Sequence, residues 1–120
     1  MPLLVLDEGG ALRRAGLEDY VEAVKALVSL VPVGRVTTYS TIARLLGVSP
    51  RLAGRALSLN PEPIVYPCHR VVRSDGGLGG YSVGGAPFKE GLLRLEGVPV
   101  EGGRVDRAYI IDEPEELLDP

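Results

Sequence analysis

The spacing of apolar and polar residues predicts several short helices in this chain. From Leu17 to Leu30, apolar residues recur at steps of three and four with charged residues between them, which is the pattern of an amphipathic helix packed on a core. The Pro and Gly residues of segment 31–34 end this helix. A later helix, from Pro87 to Glu96, has the same kind of pattern and is predicted to end at Gly97.

Between these two helices the sequence predicts a helix, a turn and another helix. Hydroxyl side chains at 37–41 can cap the first, Gly47 interrupts it, and Ser49 with Pro50 precedes the second. This order is typical of a helix-turn-helix, whose second helix can enter a DNA groove. The second helix has unusually small side chains, which permit close approach to DNA or, equally well, to a neighbouring helix.

The remaining apolar runs are short. Ile64–Tyr66 and Val71–Val72 predict a small sheet or an irregular extended pair. The glycine-rich segment 76–85 has neither the Lys-Ser/Thr pair of a P-loop nor the strand and helix that frame a dinucleotide site. We therefore interpret it as a mobile loop over a pocket.

Length and composition favour a single domain. The 120 residues, with 45% hydrophobic content, suffice for one compact domain but not for two. We divide the chain into an N-terminal extension at 1–16, a domain at 17–100 and an acidic tail at 101–120. The sequence has no run long enough to cross a bilayer and no signal peptide at its start, and a lone cysteine fits a reducing compartment. We therefore expect a cytoplasmic protein with no membrane partner.

Charge is unevenly distributed along the chain. The net charge of -3 argues against a nucleic-acid partner, yet segment 34–76 has six arginines and only two acidic residues. The arginines are Arg35, Arg44, Arg51, Arg55, Arg70 and Arg73. A local basic face is compatible with an acidic total, so charge alone leaves DNA binding undecided.

The only cysteine, Cys68, directly precedes the only histidine, His69. One Cys and one His are too few for a closed zinc site, so no metal site is predicted. A histidine within hydrogen-bond reach of a thiol can take its proton and leave a nucleophilic thiolate. The two side chains can cooperate only if Pro67 bends the chain, because neighbours on a strand point to opposite faces. The other interpretation is an inert cysteine buried as a small hydrophobe.

Taken in order, these segments resemble the catalytic domain of the O6-alkylguanine-DNA alkyltransferases from about Tyr20 to Glu96. The motifs are Val33-Gly34-Arg35-Val36-Thr37-Thr38-Tyr39, Asn60-Pro61, Pro67-Cys68-His69-Arg70-Val71-Val72 and Gly79-Gly80-Tyr81-Ser82. The Pro-Cys-His-Arg-Val core is the most specific of them. The resemblance implies a mainly α fold with a small β element, in which a winged-helix-like alkyltransferase domain contains the helix-turn-helix.

The resemblance also implies a chemistry for the site. Cys68 would take the alkyl group from guanine O6 irreversibly, once per protein molecule and without a cofactor. His69 would relay the thiol proton through a water to Glu96, and Tyr39 would help to neutralise the departing guanine.

A damaged DNA duplex is the partner that the resemblance implies. The protein would bind double-stranded DNA carrying alkylated guanine at the minor groove, independently of sequence, and would flip the nucleotide out of the stack. Arg51 would take the place of the flipped base. The predicted DNA-binding residues are Tyr39, Arg51, Ala53, Gly54 and Arg55. The predicted pocket residues are Pro63, Val71, Tyr81 and Ser82, with Asn60 bracing the turn before the cysteine.

Two other functions stay open on the sequence alone. The protein could be a non-enzymatic sensor that binds O6-alkylguanine and recruits another repair protein through its acidic tail. A helix-turn-helix regulator with an inert cysteine is the third interpretation, but it gives the Gly-Gly-Tyr-Ser segment and Glu96 no role. In each case we expect a monomer, nucleoid-associated in a prokaryotic cell.

Overall fold

The computed structural model of the protein describes residues 4–6, 9–81 and 84–118. Within these residues the helices are α1 (Leu17–Val28), α2 (Tyr39–Leu46), α3 (Pro50–Ser58), α4 (Gly85–Leu95) and α5 (Pro114–Leu118). The strands are β1 (Leu4–Leu6), β2 (Leu12–Arg14), β3 (Val36–Thr38), β4 (Val71–Val72), β5 (Val100–Glu101), β6 (Arg104–Val105) and β7 (Ile110–Ile111). The mainly helical fold with small sheets that the sequence predicts is confirmed.

Helix α1 forms as its apolar spacing predicts. Its buried residues are Tyr20, Val24 and Val28, which follow one another at steps of four. Asp19 accepts a hydrogen bond of 2.8 Å from the backbone N–H of Gly16, which satisfies one of the free donors at the start of the helix. The helix ends at Val28, two residues before the predicted end.

The helix-turn-helix is confirmed as α2 and α3. Thr38 caps α2 by accepting from the backbone N–H of Thr41 at 3.0 Å, and Ser49 caps α3 in the same way from Leu52 at 3.2 Å. Between the helices Gly47 takes a left-handed conformation, with φ of 70°, which glycine adopts without a steric cost. The two caps and the glycine therefore fix where α2 stops and α3 starts.

The main sheet differs from the predicted one. Strand β3 lies in its centre and pairs in parallel with β4 on one side and β7 on the other. The predicted partner of β4, Ile64–Tyr66, is a turn. The three prolines in segment 61–67 explain the difference, because each removes a backbone donor that a ladder needs.

This sheet separates two clusters of buried side chains. Val71 and Ile111 lie in the cluster formed with α1, α2 and α3. Their neighbours Val72 and Ile110 face the other cluster, which includes Leu93 of α4. Successive strand residues point to opposite faces, so two-residue strands are enough to join the cluster around α1, α2 and α3 to the cluster around α4.

The segment after residue 100, predicted as an acidic tail, packs on the domain in its described part. Strand β7 completes the main sheet, and Leu117 of α5 is 5% exposed. Glu116 forms an ion pair of 3.1 Å with Arg35. Thr41 of α2 donates to the backbone carbonyl of Asp112 at 2.8 Å. The described part of this segment is therefore in contact with the domain, and the division of the chain at residue 100 stays a prediction.

At the other end of the chain, β1 and β2 form an antiparallel hairpin that the sequence did not predict. Across the described segments, no helix combines the length and the apolar character needed to span a membrane.

Candidate active site

Cys68 and His69 lie on a single 3-10 turn, Cys68–Arg70, that begins directly after Pro67. Pro67, with φ of -74°, turns the chain as the sequence analysis required for the two side chains to cooperate. Both residues are buried, at 7% and 2% exposure. The sulfur of Cys68 donates a long hydrogen bond of 3.6 Å to the carbonyl oxygen of Pro63.

Cys68 lies at the edge of a cavity of about 690 Å³. The cavity is lined by Tyr39, Pro50, Arg51, Gly54, Leu57, Ser58, Cys68, Arg73, Gly79, Gly80 and Tyr81. Helix α3, the second helix of the helix-turn-helix, thus forms one wall, and the segment before α4 forms the opposite one. The tertiary structure therefore places the only thiol where the helix-turn-helix borders the cavity.

Tyr39 stands between these two walls. A Cβ on Gly54 would lie 3.8 Å from its ring, and one on Gly79 would lie 2.9 Å from its hydroxyl oxygen. Gly79 also has φ of 74°, so both space and backbone conformation favour glycine there. Burial raises the pKa of Tyr39, which keeps its hydroxyl protonated and able to donate.

Behind Cys68, His69 contacts Glu96, which is the C-terminal cap of α4. Nε2 of His69 is 3.1 Å from Oε2 of Glu96. Among the described residues, however, neither ring nitrogen of His69 has a partner with full hydrogen-bond geometry. Arg70 donates two hydrogen bonds to the Glu96 carboxylate, from Nε at 2.9 Å and from Nη2 at 2.7 Å. Its Nη1 also donates to the carbonyl of Val31 at 2.8 Å. Glu96 is therefore fixed by Arg70, so a carboxylate stays beside the imidazole.

The protonation states of this group follow from burial and charge. Burial lowers the pKa of His69, although Glu96 opposes the change, so the imidazole is neutral near pH 7 and can accept a proton. Burial raises the pKa of the Glu96 carboxyl, but Arg70 and His69 outweigh it and the net pKa is lowered.

Burial also raises the pKa of the Cys68 thiol. Asn60, the charge of Lys89 and Tyr81 each act in the opposite direction but do not outweigh it. The thiol therefore needs a neighbouring base to ionise.

Lys89 is a site residue that the sequence analysis missed. Its side chain is fully buried, and its Nζ donates to the carbonyls of Val71 at 2.6 Å and Gly80 at 3.3 Å. A third contact, of 3.4 Å, reaches the hydroxyl of Tyr39. Lys89, Leu93 and Glu96 follow one another at steps of four and three in α4, so helical spacing places the lysine on the face that carries Glu96.

Several predicted site residues lie outside the cavity. Ala53 is 1% exposed and belongs to the core cluster, so the prediction that it contacts DNA is corrected: its small side chain serves packing against the other helices. Arg55 is exposed on α3 but does not line the cavity. Pro63 and Val71 border the site through their backbone carbonyls, which accept from Cys68 and Lys89 respectively. Ser82 lies outside the described residues.

Asn60 holds the turn that leads to Cys68. Its side-chain amide donates to the carbonyl of Tyr66 at 2.9 Å, and its side-chain oxygen accepts from the backbone N–H of Glu62 at 2.9 Å. This buried side chain thus connects both ends of the segment between α3 and the cysteine.

The six arginines of segment 34–76 fall into two groups. Arg35, Arg44, Arg70 and Arg73 each contact an acidic side chain or a backbone carbonyl inside the protein. Among the described residues, no ion pair or hydrogen bond involves the guanidinium group of Arg51 or Arg55, although the backbone carbonyl of Arg55 accepts from Ser58. The basic charge that stays available to an anionic partner in this group therefore lies on α3.

Comparison with known proteins connects this geometry to a family. Residues 19–98 match the family described as 6-O-methylguanine DNA methyltransferase, DNA binding domain. A methylated-DNA–protein-cysteine methyltransferase of Methanothermobacter thermautotrophicus is 50% identical over 100 residues, which cover 83% of this chain and 53% of the relative. The chain thus corresponds to about half the length of that relative.

Two solved structures share the fold. Atl1 of S. pombe, in complex with damaged DNA containing O6-carboxymethylguanine, matches with a TM-score of 0.68 at 28% identity, covering 81% of this chain and 98% of that one. The Mycobacterium tuberculosis OGT in complex with DNA matches with a TM-score of 0.62 at 36% identity, covering 70% and 51%. With the match over residues 19–98, the chain belongs to the 6-O-methylguanine DNA methyltransferase family.

Proposed function

We propose that this protein repairs DNA by transferring the alkyl group of an O6-alkylguanine to the sulfur of Cys68. The observation that carries the proposal is the position of Cys68 in a cavity whose wall is the second helix of a helix-turn-helix. The methyltransferase name of the M. thermautotrophicus relative supports the reaction, and the damaged DNA bound to Atl1 supports the type of ligand.

The transfer forms a bond between the sulfur and the alkyl carbon and breaks the bond between that carbon and guanine O6. The thiol proton goes through a water to His69, which its lowered pKa keeps neutral, and Glu96 stabilises the imidazolium that results. The electron pair of the broken bond stays on the guanine, which takes up one proton. Tyr39 lines the cavity and donates a hydrogen bond to the guanine as this charge develops. The thioether product is stable, so each molecule reacts once.

Flipping of the damaged nucleotide is part of the proposal. Cys68 is buried, and O6 of a stacked guanine is out of its reach, so the nucleotide must leave the duplex to enter the cavity. Arg51 lies at the cavity and occupies the space that the nucleotide leaves in the duplex. Arg55 is exposed on the same helix and binds a phosphate.

The finer predictions on partners also belong here. We infer that the protein binds its double-stranded DNA as a monomer. A repair-protein partner at the acidic end would meet Glu113 and Glu115, which are exposed, because Glu116 is engaged by Arg35.

The test is the mass of the protein after incubation with a duplex that contains one O6-methylguanine. We expect one methyl group on the peptide that contains Cys68, with unmodified guanine in the DNA. The variant Cys68→Ala should gain no methyl group while still binding the lesion, since the thiol is the only cysteine in the chain. Tight lesion binding by the wild-type protein with no change in mass would make it a sensor. If there were also no preference for the lesion, both repair functions would be refuted.

A further inference from the structure

Phe88 is a large apolar residue placed at the surface beside the site. It is 41% exposed, whereas its neighbour Lys89 on α4 is fully buried. Its aromatic partner is Tyr81: the two ring centroids are 6.2 Å apart and the planes differ by 18°, which is an offset stack within the range of favourable aromatic pairs. The exposed ring of Phe88 thus lies behind a residue that lines the cavity.

Tyr81 connects this stack to the reacting groups. Its ring meets that of His69 edge to face, with centroids 6.3 Å apart. Its hydroxyl donates to the carbonyl of Pro63 at 3.3 Å, the same oxygen that accepts from the sulfur of Cys68. Tyr81 therefore borders the space beside the sulfur, where the transferred group must lie.

The position of Phe88 is itself restricted. Gly84 caps the start of α4 with φ of 71°, and a Cβ at Gly84 would lie only 2.6 Å from the Cβ of Phe88. The backbone of Gly84 therefore lies against Phe88, which does not itself line the cavity. A movement of the Tyr81 ring towards α4 would meet the ring of Phe88, which stacks on it.

We propose that Phe88 determines which alkyl groups Cys68 accepts, by holding the Tyr81 ring in place as the wall beside the sulfur. This inference rests on the proposed function and specifies its substrate range. A methyl group needs little space between the sulfur and this wall, whereas a benzyl group needs the ring of Tyr81 to move. Phe88 is a positioning residue, because it acts through Tyr81 and does not contact the substrate.

The experiment compares two substrates in one set of variants. The substrates are duplexes with one O6-methylguanine or one O6-benzylguanine, and the rate of Cys68 alkylation is followed by mass. In Phe88→Ala we expect the ratio of the benzyl to the methyl rate to rise about five-fold, the factor expected when an aromatic pair is lost. Phe88→Tyr keeps the stack and should keep the wild-type ratio. Leu95→Ala is the matched control, since it removes an 85% exposed apolar side chain from the same helix.

The ratio separates positioning from stability. A variant that is merely less stable would lose both rates equally and leave their ratio unchanged. Phe88→Leu keeps most of the apolar volume but loses the ring, so it provides the same test if Phe88→Ala does not fold. A wild-type ratio in the variants that lack the ring would overturn the inference and leave the proposed function intact. If the wild-type protein transferred neither group, the proposed function would fail and this inference with it.

Discussion

At the scale of single residues, the site depends on ionisable groups placed in surroundings that change their behaviour. Lys89 illustrates this: burial lowers its pKa to about 8, yet three oxygen atoms around its Nζ keep it in place. Below that pH the side chain carries a positive charge, and this charge lowers the pKa of Cys68. In the proposed reaction Lys89 would therefore act with His69, since the charge of Lys89 favours the thiolate and His69 would accept the proton.

The variant Lys89→Met tests this effect. Without the charge, the neutral thiol of Cys68 is favoured, so its pKa rises and the rate of modification by iodoacetamide should need a higher pH to reach half its maximum. The pH profile of this reaction is the measurement. Lys25→Met is the control, because Lys25 lies on α1 in an ion pair with Glu22 and is not among the groups that shift Cys68. An unchanged profile in Lys89→Met would show that Lys89 has no electrostatic effect on the thiol.

At the scale of elements, helix α3 combines three roles. Its buried face, with Ala53, Ala56 and Leu57, joins the core. Gly54 lets the ring of Tyr39 approach the helix backbone. Arg51 and Arg55 leave the opposite side basic. The same nine residues therefore fix the helix to the domain, shape the cavity and present two arginines to an anionic partner.

We expect Arg51→Ala and Arg55→Ala to weaken DNA binding to a similar degree for any base sequence. Each change removes one cation near the phosphates, so the slope of log affinity against log salt should fall by about one per arginine. Arg51→Ala should also slow alkyl transfer, because this side chain lines the cavity. Fluorescence titrations of a labelled duplex at several salt concentrations provide the measurement. Arg107→Ala removes the same charge from a side chain that is 75% exposed and pairs with Asp112. If Arg107→Ala lost as much DNA affinity and salt dependence as the two α3 variants, DNA binding would depend only on the net charge of the protein.

At the scale of the whole molecule, the chain after residue 100 holds the helix-turn-helix in place. Strand β7 pairs with β3, which leads directly into α2. The carbonyl of Asp112 accepts from Thr41 and Arg44, both on α2. Part of the chain beyond the family match at residue 98 thus supports α2, the helix that begins with Tyr39 of the candidate site.

Leu117 and Leu118 test this support as a matched pair. Leu117 is 5% exposed and lies in the core cluster with α1 to α3, whereas Leu118 is 55% exposed. Leu117→Ala should lower the free energy of unfolding by about 3 kcal/mol, as other large-to-small core changes do, and Leu118→Ala should have little effect. Urea unfolding of the two variants gives the comparison. Two equally mild effects would indicate that the C-terminal segment contributes little to stability.

The local part of this organisation could be predicted from the sequence. Helices α1, α2 and α3 follow from apolar spacing, from the hydroxyl caps at Thr38 and Ser49 and from Gly47. Cys68 and His69 stood out as the only residues of their type, and Pro67 indicated the bend that places them on one turn. All of these signals lie within a few residues of the feature they predict, because capping, helical spacing and proline geometry are local.

The tertiary structure alone decided the long-range pairings. A two-residue strand such as β4 or β7 has too short a hydrophobic pattern to indicate which strand it pairs with. The pairing of Val71 and Ile111 with Thr37 therefore could not be predicted. The placement of Lys89 beside Val71 and of Ala53 in the core also depends on residues distant in the chain. The sequence by itself thus determined the helices and the turn that holds the proposed nucleophile beside its histidine, since these follow from chemistry and local geometry. Burial and packing between distant segments decided which charges are available to an anionic partner and which surround the thiol.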